Sequence, residues 1–155
     1  MSVRVKLSDI IDGMECQPDE SSSYLNKKTG KLVLVGYEEA MASEDDEPIE
    51  DFPDWQQEII KAAKDIENET GEYIQLPSKF DIHEYRIMED FCLSVEDEKT
   101  REILYTLIKG SGAFGRFKNA IHIYEIAEDW YKFRNDAFKE IAIEWCRENN
   151  IEYDD

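Results

Sequence analysis

Histidine is scarce in this chain of 155 residues, where His83 and His122 are the only two. A histidine-based metal centre or catalytic triad therefore has little material. Cysteine is nearly as scarce: Cys16, Cys92 and Cys146 are odd in number, far apart and without a CxxC pair. That argues against a disulfide framework and against a thiolate zinc site, and favours reduced thiols. Long apolar runs are missing too, since MSVRVKLSDI turns polar and acidic early and no stretch approaches membrane length. The expectation is a soluble, untargeted, cytoplasmic protein.

What the chain does have is apolar material and acid. Hydrophobic residues make up 41%, with 8 Tyr, 7 Phe and 3 Trp, enough for the core that disordered chains lack. The length fits one domain over 1–155. A net charge of −19 bears on solubility and partners rather than on fold. It is unevenly spread: residues 38–54 hold nine acids and no base, which reads as an exposed acidic linker. Residues 99–139 instead hold eight Lys or Arg against five Asp or Glu. A basic island thus sits in an acidic molecule, with Lys109, Arg116 and Lys118 at its centre.

Periodicity gives the coarse architecture. VRVKL alternates Val3, Val5 and Leu7 with Arg4 and Lys6, the pattern of a half-buried strand, and Ser8 follows as a possible cap for a short helix. DESSSYLNKKTGKLVLVGYEE reads as a hairpin turning at Gly30, with KLVLVGY apolar on both faces, and GEYIQLP as a further short strand. From Trp55 onward the spacing becomes helical. Trp55, Ile59, Ala62, Ala63 and Ile66 form one stripe, and Ile82, Tyr85, Met88 and Val95 another, capped by Asp81. Further stripes run through Thr100, Ile103, Leu104, Leu107 and Ile108, then Phe114, Phe117, Ile121 and Tyr124. A long helix from about Glu128 carries Trp130, Phe133, Ala137, Ile141 and Trp145. The fold class expected is α+β: a small N-terminal sheet containing a hairpin, packed on a helix-rich C-terminal region of about four or five helices.

GSGAFGRFK, residues 110–118, is the stretch richest in possible chemistry. In one reading Gly110 closes a helix, Ser111 caps the next, Gly112 permits close backbone approach, and Phe114 and Phe117 enter the core. In the other, free N–H groups at the helix start combine with Lys109, Arg116 and Lys118 to hold phosphate or carboxylate. The stretch has neither the spacing of a nucleotide-hydrolase phosphate loop nor a preceding strand for a dinucleotide fingerprint. His122, one turn beyond Lys118, offers an acid or base without a visible nucleophile. Asp81, His83 and Glu84 suit capping better than chelation, and the acidic segment lacks the order of a calcium loop. Tyr131 and Arg134 fall off the inward stripe of the long helix and are candidates for an interface.

SGAFGRFKNAI, followed about ten residues later by DWYKFRNDAFKEIAIEWCRENNI, together with SYLNKKTGKLVLV and EYIQLP, resembles uncharacterised protein family 0158, small bacterial proteins of unknown function. The likeness runs from VKLSDI to NNI. It rests on Gly110, Gly112, Ala113, Phe114, Arg116, Phe117 and Lys118, then Trp130, Tyr131, Phe133 and Arg134, with Gly115 and Asn119 standing where Arg and Asp are common. The resemblance implies a single fold and a bacterial, cytoplasmic setting, and brings no activity, cofactor or catalytic residue.

The function expected is a non-catalytic protein-interaction or regulatory module. The alternative is a small-anion or nucleotide-phosphate binder using Lys109, Gly110, Ser111, Gly112, Arg116, Lys118 and His122, and an enzyme using His122 ranks third. No cofactor, metal or membrane is expected. Nucleic acid ranks below a protein partner and below a small phosphate-bearing ligand, because a polyanion meets a strongly acidic molecule and three charges give weak, salt-sensitive binding.

Overall fold

The protein's structure, a computed structural model, describes residues 4–18, 20–69 and 71–155, apart from the side chain of Phe80. The expectations placed on Val3 and Asp19 lie outside the described residues. The fold is α+β, and the chain divides into two compact units: unit 1 is Met1–Asp81 with Ile141–Asp155, and unit 2 is Ile82–Glu140.

In unit 1, β1 (Arg4–Lys6) buries Val5 between two exposed basic residues and leads directly into α1 (Leu7–Glu15). Leu7, Ile10 and Met14 are the buried side of that helix. Because the strand feeds the helix without a turn, the N-cap is Lys6 with no side-chain bond, and Ser8 lies inside the first turn instead of capping it. β1 pairs in parallel with β5 (Glu152–Asp154), a strand too acidic and too short to stand out in the sequence.

The second sheet has β2 (Ser22–Asn26) at its centre, antiparallel to both β3 (Leu32–Val35) and β4 (Tyr73–Gln75). Asn26 builds the hairpin: its side-chain oxygen accepts from the N–H groups of Lys28 at 2.8 Å and Thr29 at 3.2 Å, and Gly30 adopts φ +76° to return the chain. Buried Gln17 ties the sheet to α1. Its amide nitrogen donates to the carbonyls of Met14 at 3.1 Å and Pro77 at 2.9 Å, while its oxygen accepts from the Ser23 N–H at 3.3 Å. Ser23 also donates its hydroxyl to the Gly13 carbonyl, and a Cβ on Gly13 would stand 2.8 Å from the Leu76 side chain. Glycine is what lets α1 lie this close to the sheet.

The acidic segment expected to be a linker is folded. α2 (Tyr37–Glu44) is followed by a 3-10 turn (Ile49–Asp51) and then α3 (Asp54–Glu67). Ala42 and Ser43 are buried and the Ser43 hydroxyl donates to Glu67 at 2.9 Å, so small residues make the contact while the acids face outward. In α3 the buried positions are Gln56, Ile60, Ala62 and Ala63. Ala62 and Ala63 are inward as expected, but in the first turns Gln56 and Ile60 take the place of Trp55 and Ile59, and Trp55 is left 64% exposed. β3 likewise is covered less than its composition implied, with Leu34 38% exposed.

The short α4 (Lys79–Ile82) begins where Asp81 accepts from the Ser78 N–H and hydroxyl, each at 3.0 Å. His83, at φ +53°, separates it from α5 (Glu84–Ser94), so the expected stripe through Ile82 is broken. α6 (Glu98–Leu107) is capped by Asp97, and α7 (Ala113–Ile123) and α8 (Ala127–Glu148) follow. Unit 2 has an aromatic centre: Phe91 meets Phe117 at 6.0 Å and Trp130 at 5.4 Å, and Phe117 meets Trp130 at 4.9 Å, all edge-on. The last turns of α8 belong to unit 1, where the Trp145 indole donates to the Gln75 carbonyl at 3.0 Å.

Gln17→Ala strands the Ser23 N–H and the Pro77 carbonyl; the expected cost is about 2–3 kcal/mol in urea unfolding. Burial pushes the Cys92 and Cys146 thiols up to about 11 from an ordinary 9.0. The unfolded chain then ionises first, so stability is full below about pH 9 and falls as pH rises from 9 towards 11. Urea midpoints across that range check this. Exposed Cys16 is expected to react with a thiol reagent in the native protein while the other two wait for unfolding.

Candidate functional site

The basic corner between α6 and α7 is built around Arg116. Its guanidinium donates to three main-chain carbonyls: Leu107 from Nε at 2.8 Å, Ser111 from Nη1 at 2.7 Å and Lys109 from Nη2 at 2.8 Å. These are carbonyls that the end of α6 and the following turn would otherwise leave to water, and a planar fork reaches all three. Gly110 at φ +85° and Gly112 at φ +79° give the backbone the curvature that aims the carbonyls at Arg116. Gly112, not Ser111, is the N-cap of α7, and no side chain caps it; Ser111 contributes its carbonyl to the arginine. Phe117 is buried, whereas Phe114 is 41% exposed and meets Tyr85 edge-on at 6.4 Å.

The remaining charges of the island are dispersed. The Lys109 ammonium sits over the Tyr105 ring at 4.5 Å, and Lys118 is exposed. His122 is exposed near the end of α7, and its imidazole has no hydrogen-bonding partner among the described residues. On α8, Tyr131 is 53% exposed, while Arg134 pairs with Glu84 at 2.6 Å and lies over the Phe138 ring at 4.2 Å. Among the described residues no group of three or more His, Cys, Asp or Glu is placed to hold a metal ion, and no helix is long and apolar enough to cross a membrane.

The roomiest surface depression described lies in unit 1. A groove of about 710 Å³ runs between β3 and α3, lined by Leu32, Val33, Leu34, Trp55, Ile59 and Tyr73, with Lys31, Glu39 and Glu58 also on its walls. Trp55 stands here because the core side of α3 is fixed one residue away. A smaller cleft of about 400 Å³ in the same unit is walled by Pro77 and Trp145 and by the carboxylates of Asp81, Glu144 and Glu148. Neither is marked by a motif or charge pattern in the sequence. In DWQQEII the apolar pair Trp55 and Ile59 competes with Ile60, which shares its side of the helix with the polar Gln56, and only the packing turns the second pair inward.

The model of Uncharacterised protein family (UPF0158) matches residues 2–154. The chain belongs to this family. A UPF0158 relative, UPF0158 protein PA5073 of Pseudomonas aeruginosa, is 24% identical over 130 residues, covering 83% of this chain and 73% of the relative. No solved structure matches the chain. In this UPF0158 chain several of the residues that carry the family likeness do structural work: Gly110 and Gly112 curve the turn, Arg116 binds its carbonyls, and Phe117 and Trp130 fill the centre of unit 2.

Because a lysine carries its donors on one nitrogen and cannot stand at the three places the guanidinium nitrogens occupy, Arg116→Lys is expected to destabilise nearly as much as Arg116→Ala, by about 1–2 kcal/mol. Urea unfolding of the two variants side by side checks it.

Proposed function

We propose that this UPF0158 chain is a cytoplasmic protein-interaction module whose docking surface is the groove between β3 and α3. The observation that carries this reading is Trp55, a large aromatic 64% exposed beside an open groove of about 710 Å³ with Leu32, Leu34, Ile59 and Tyr73 on its walls. Tryptophan and tyrosine in such settings supply much of the binding energy at protein interfaces, and apolar surface gathered at one place marks a recognition site more than the same residues scattered singly. The α6–α7 corner supports the reading from the other side. Arg116 spends its donors on the backbone, which leaves little directed charge for a phosphate.

The test is site-specific photo-cross-linking in bacterial cells from position 55 and from position 118. A discrete protein adduct at 55, lost in an Ile59→Asp background that melts like the wild type, is the expected result. Adducts from 118 but none from 55 would move the function to the basic corner.

A further inference from the structure

We propose that the groove receives its partner as an added β-strand, and that the incoming segment is an extended cationic peptide pairing with the outer edge of β3. The proposal rests on the reading of the groove as a docking surface and says what occupies it.

Backbone direction comes first. The Asn26 N–H donates to the Lys31 carbonyl at 2.9 Å, and the register pairs Tyr24 with Val33 and Ser22 with Val35. In an antiparallel ladder hydrogen-bonded pairs alternate, so Lys31, Val33 and Val35 turn their N–H and C=O groups to β2. Those of Leu32 and Leu34 point the other way. β3 is an edge strand, and among the described residues these outward groups meet no partner. They are spaced two residues apart along the strand, about 6.7 Å, a repeat that another extended chain matches and a helix does not. Leu32 and Leu34 border the groove along this edge; the Leu32 side chain lies on the α1 side, 3.4 Å from where a Cβ on Gly13 would stand, and the alternating Val33 is on the face turned to α3, across the groove from Trp55 and Ile59. A strand laid along the edge would satisfy the backbone groups and offer side chains to the aromatic wall, the two elements of recognition by strand addition.

Charge selects the occupant. Unit 1 carries 25 acids against nine bases, and unit 2 twelve against nine, so nearly all of the net −19 belongs to the unit that bears the groove. On the groove itself Glu39 and Glu58 face a single base, Lys31. A second copy of this chain would bring the same excess of acid to the edge, whereas a peptide rich in Lys or Arg is drawn to it.

The experiment uses the full chain, isotope-labelled for NMR, and the acetylated, amidated heptapeptide Lys-Val-Lys-Val-Lys-Val-Lys. Binding should slow amide exchange at Leu32 and Leu34 and leave Val33 and Val35, already bonded to β2, unchanged. N-methylating one alternate set of peptide amides should weaken binding by about tenfold or more, and methylating the other set should not. The analogue with Glu for every Lys should not bind. Shifts at Trp55 and Ile59 without slowed exchange at Leu32 and Leu34 would overturn strand addition and leave the groove as a docking surface. Equal binding of the Glu peptide would overturn the cationic partner. Slowed exchange at Leu32 and Leu34 on concentrating the protein alone would assign the edge to a second copy. No groove response to either peptide would overturn strand addition, and position 55 cross-linking then decides separately whether the groove binds at all.

Discussion

The side-chain amide of Gln17 is the constraint on which unit 1 depends. Among the described residues β2 is the one strand paired on both sides, and where β4 ends at Gln75 the central strand still has the N–H of Ser23 to satisfy. Gln17 takes that group and, with its two donors, holds the end of α1 and the chain leaving β4. Buried polar groups are costly unless every one is met, and a residue that meets three at once also fixes where three segments lie. With β2 so placed, β3 can remain an edge without the sheet losing its register.

Much of the architecture was legible because it follows from local chemistry. The hairpin was readable from NKKTG, where Asn26 and Gly30 each have a conformational reason to be there. Helix starts near Trp55 and Glu128 followed from acid and the apolar period, and α3 and α8 begin within a residue of them. Phase was harder. Trp55 is as good a core residue by composition as Ile60, and only packing against the sheet turned one inward and the other out. The acidic segment was misread because charge dominates its composition, whereas its folding depends on Ala42 and Ser43, two small residues with little sequence signal. β5 lacked signal altogether, since its pairing comes from the opposite end of the chain.

The basic corner shows how a charge pattern can resemble a binding site and have an internal use. Arginine among glycines and aromatics is what a phosphate site would need, and it is also what a helix end needs when several carbonyls converge. The distinction lies in geometry: three donors at 2.7–2.8 Å to backbone oxygens are not free for a ligand. The residues of candidate sites in this chain were thus those whose side chains the fold leaves uncommitted, and the exposed Trp55 is one of them. No reading of spacing alone separates the two cases.

The parallel pairing of β1 with β5 has a mechanical meaning. Residue 4 begins one strand and residue 154 ends the other, with Arg4 bonded to Asp154 at 2.9 Å across them. In parallel strands these two points lie at opposite ends of the ladder. A pull applied between them therefore loads every rung together, in shear, and none can be peeled ahead of the next. The same short pair would open rung by rung if the load came from the α1 side of β1 and the end of β5. Force transmitted along the chain is met by the least conspicuous strands it has.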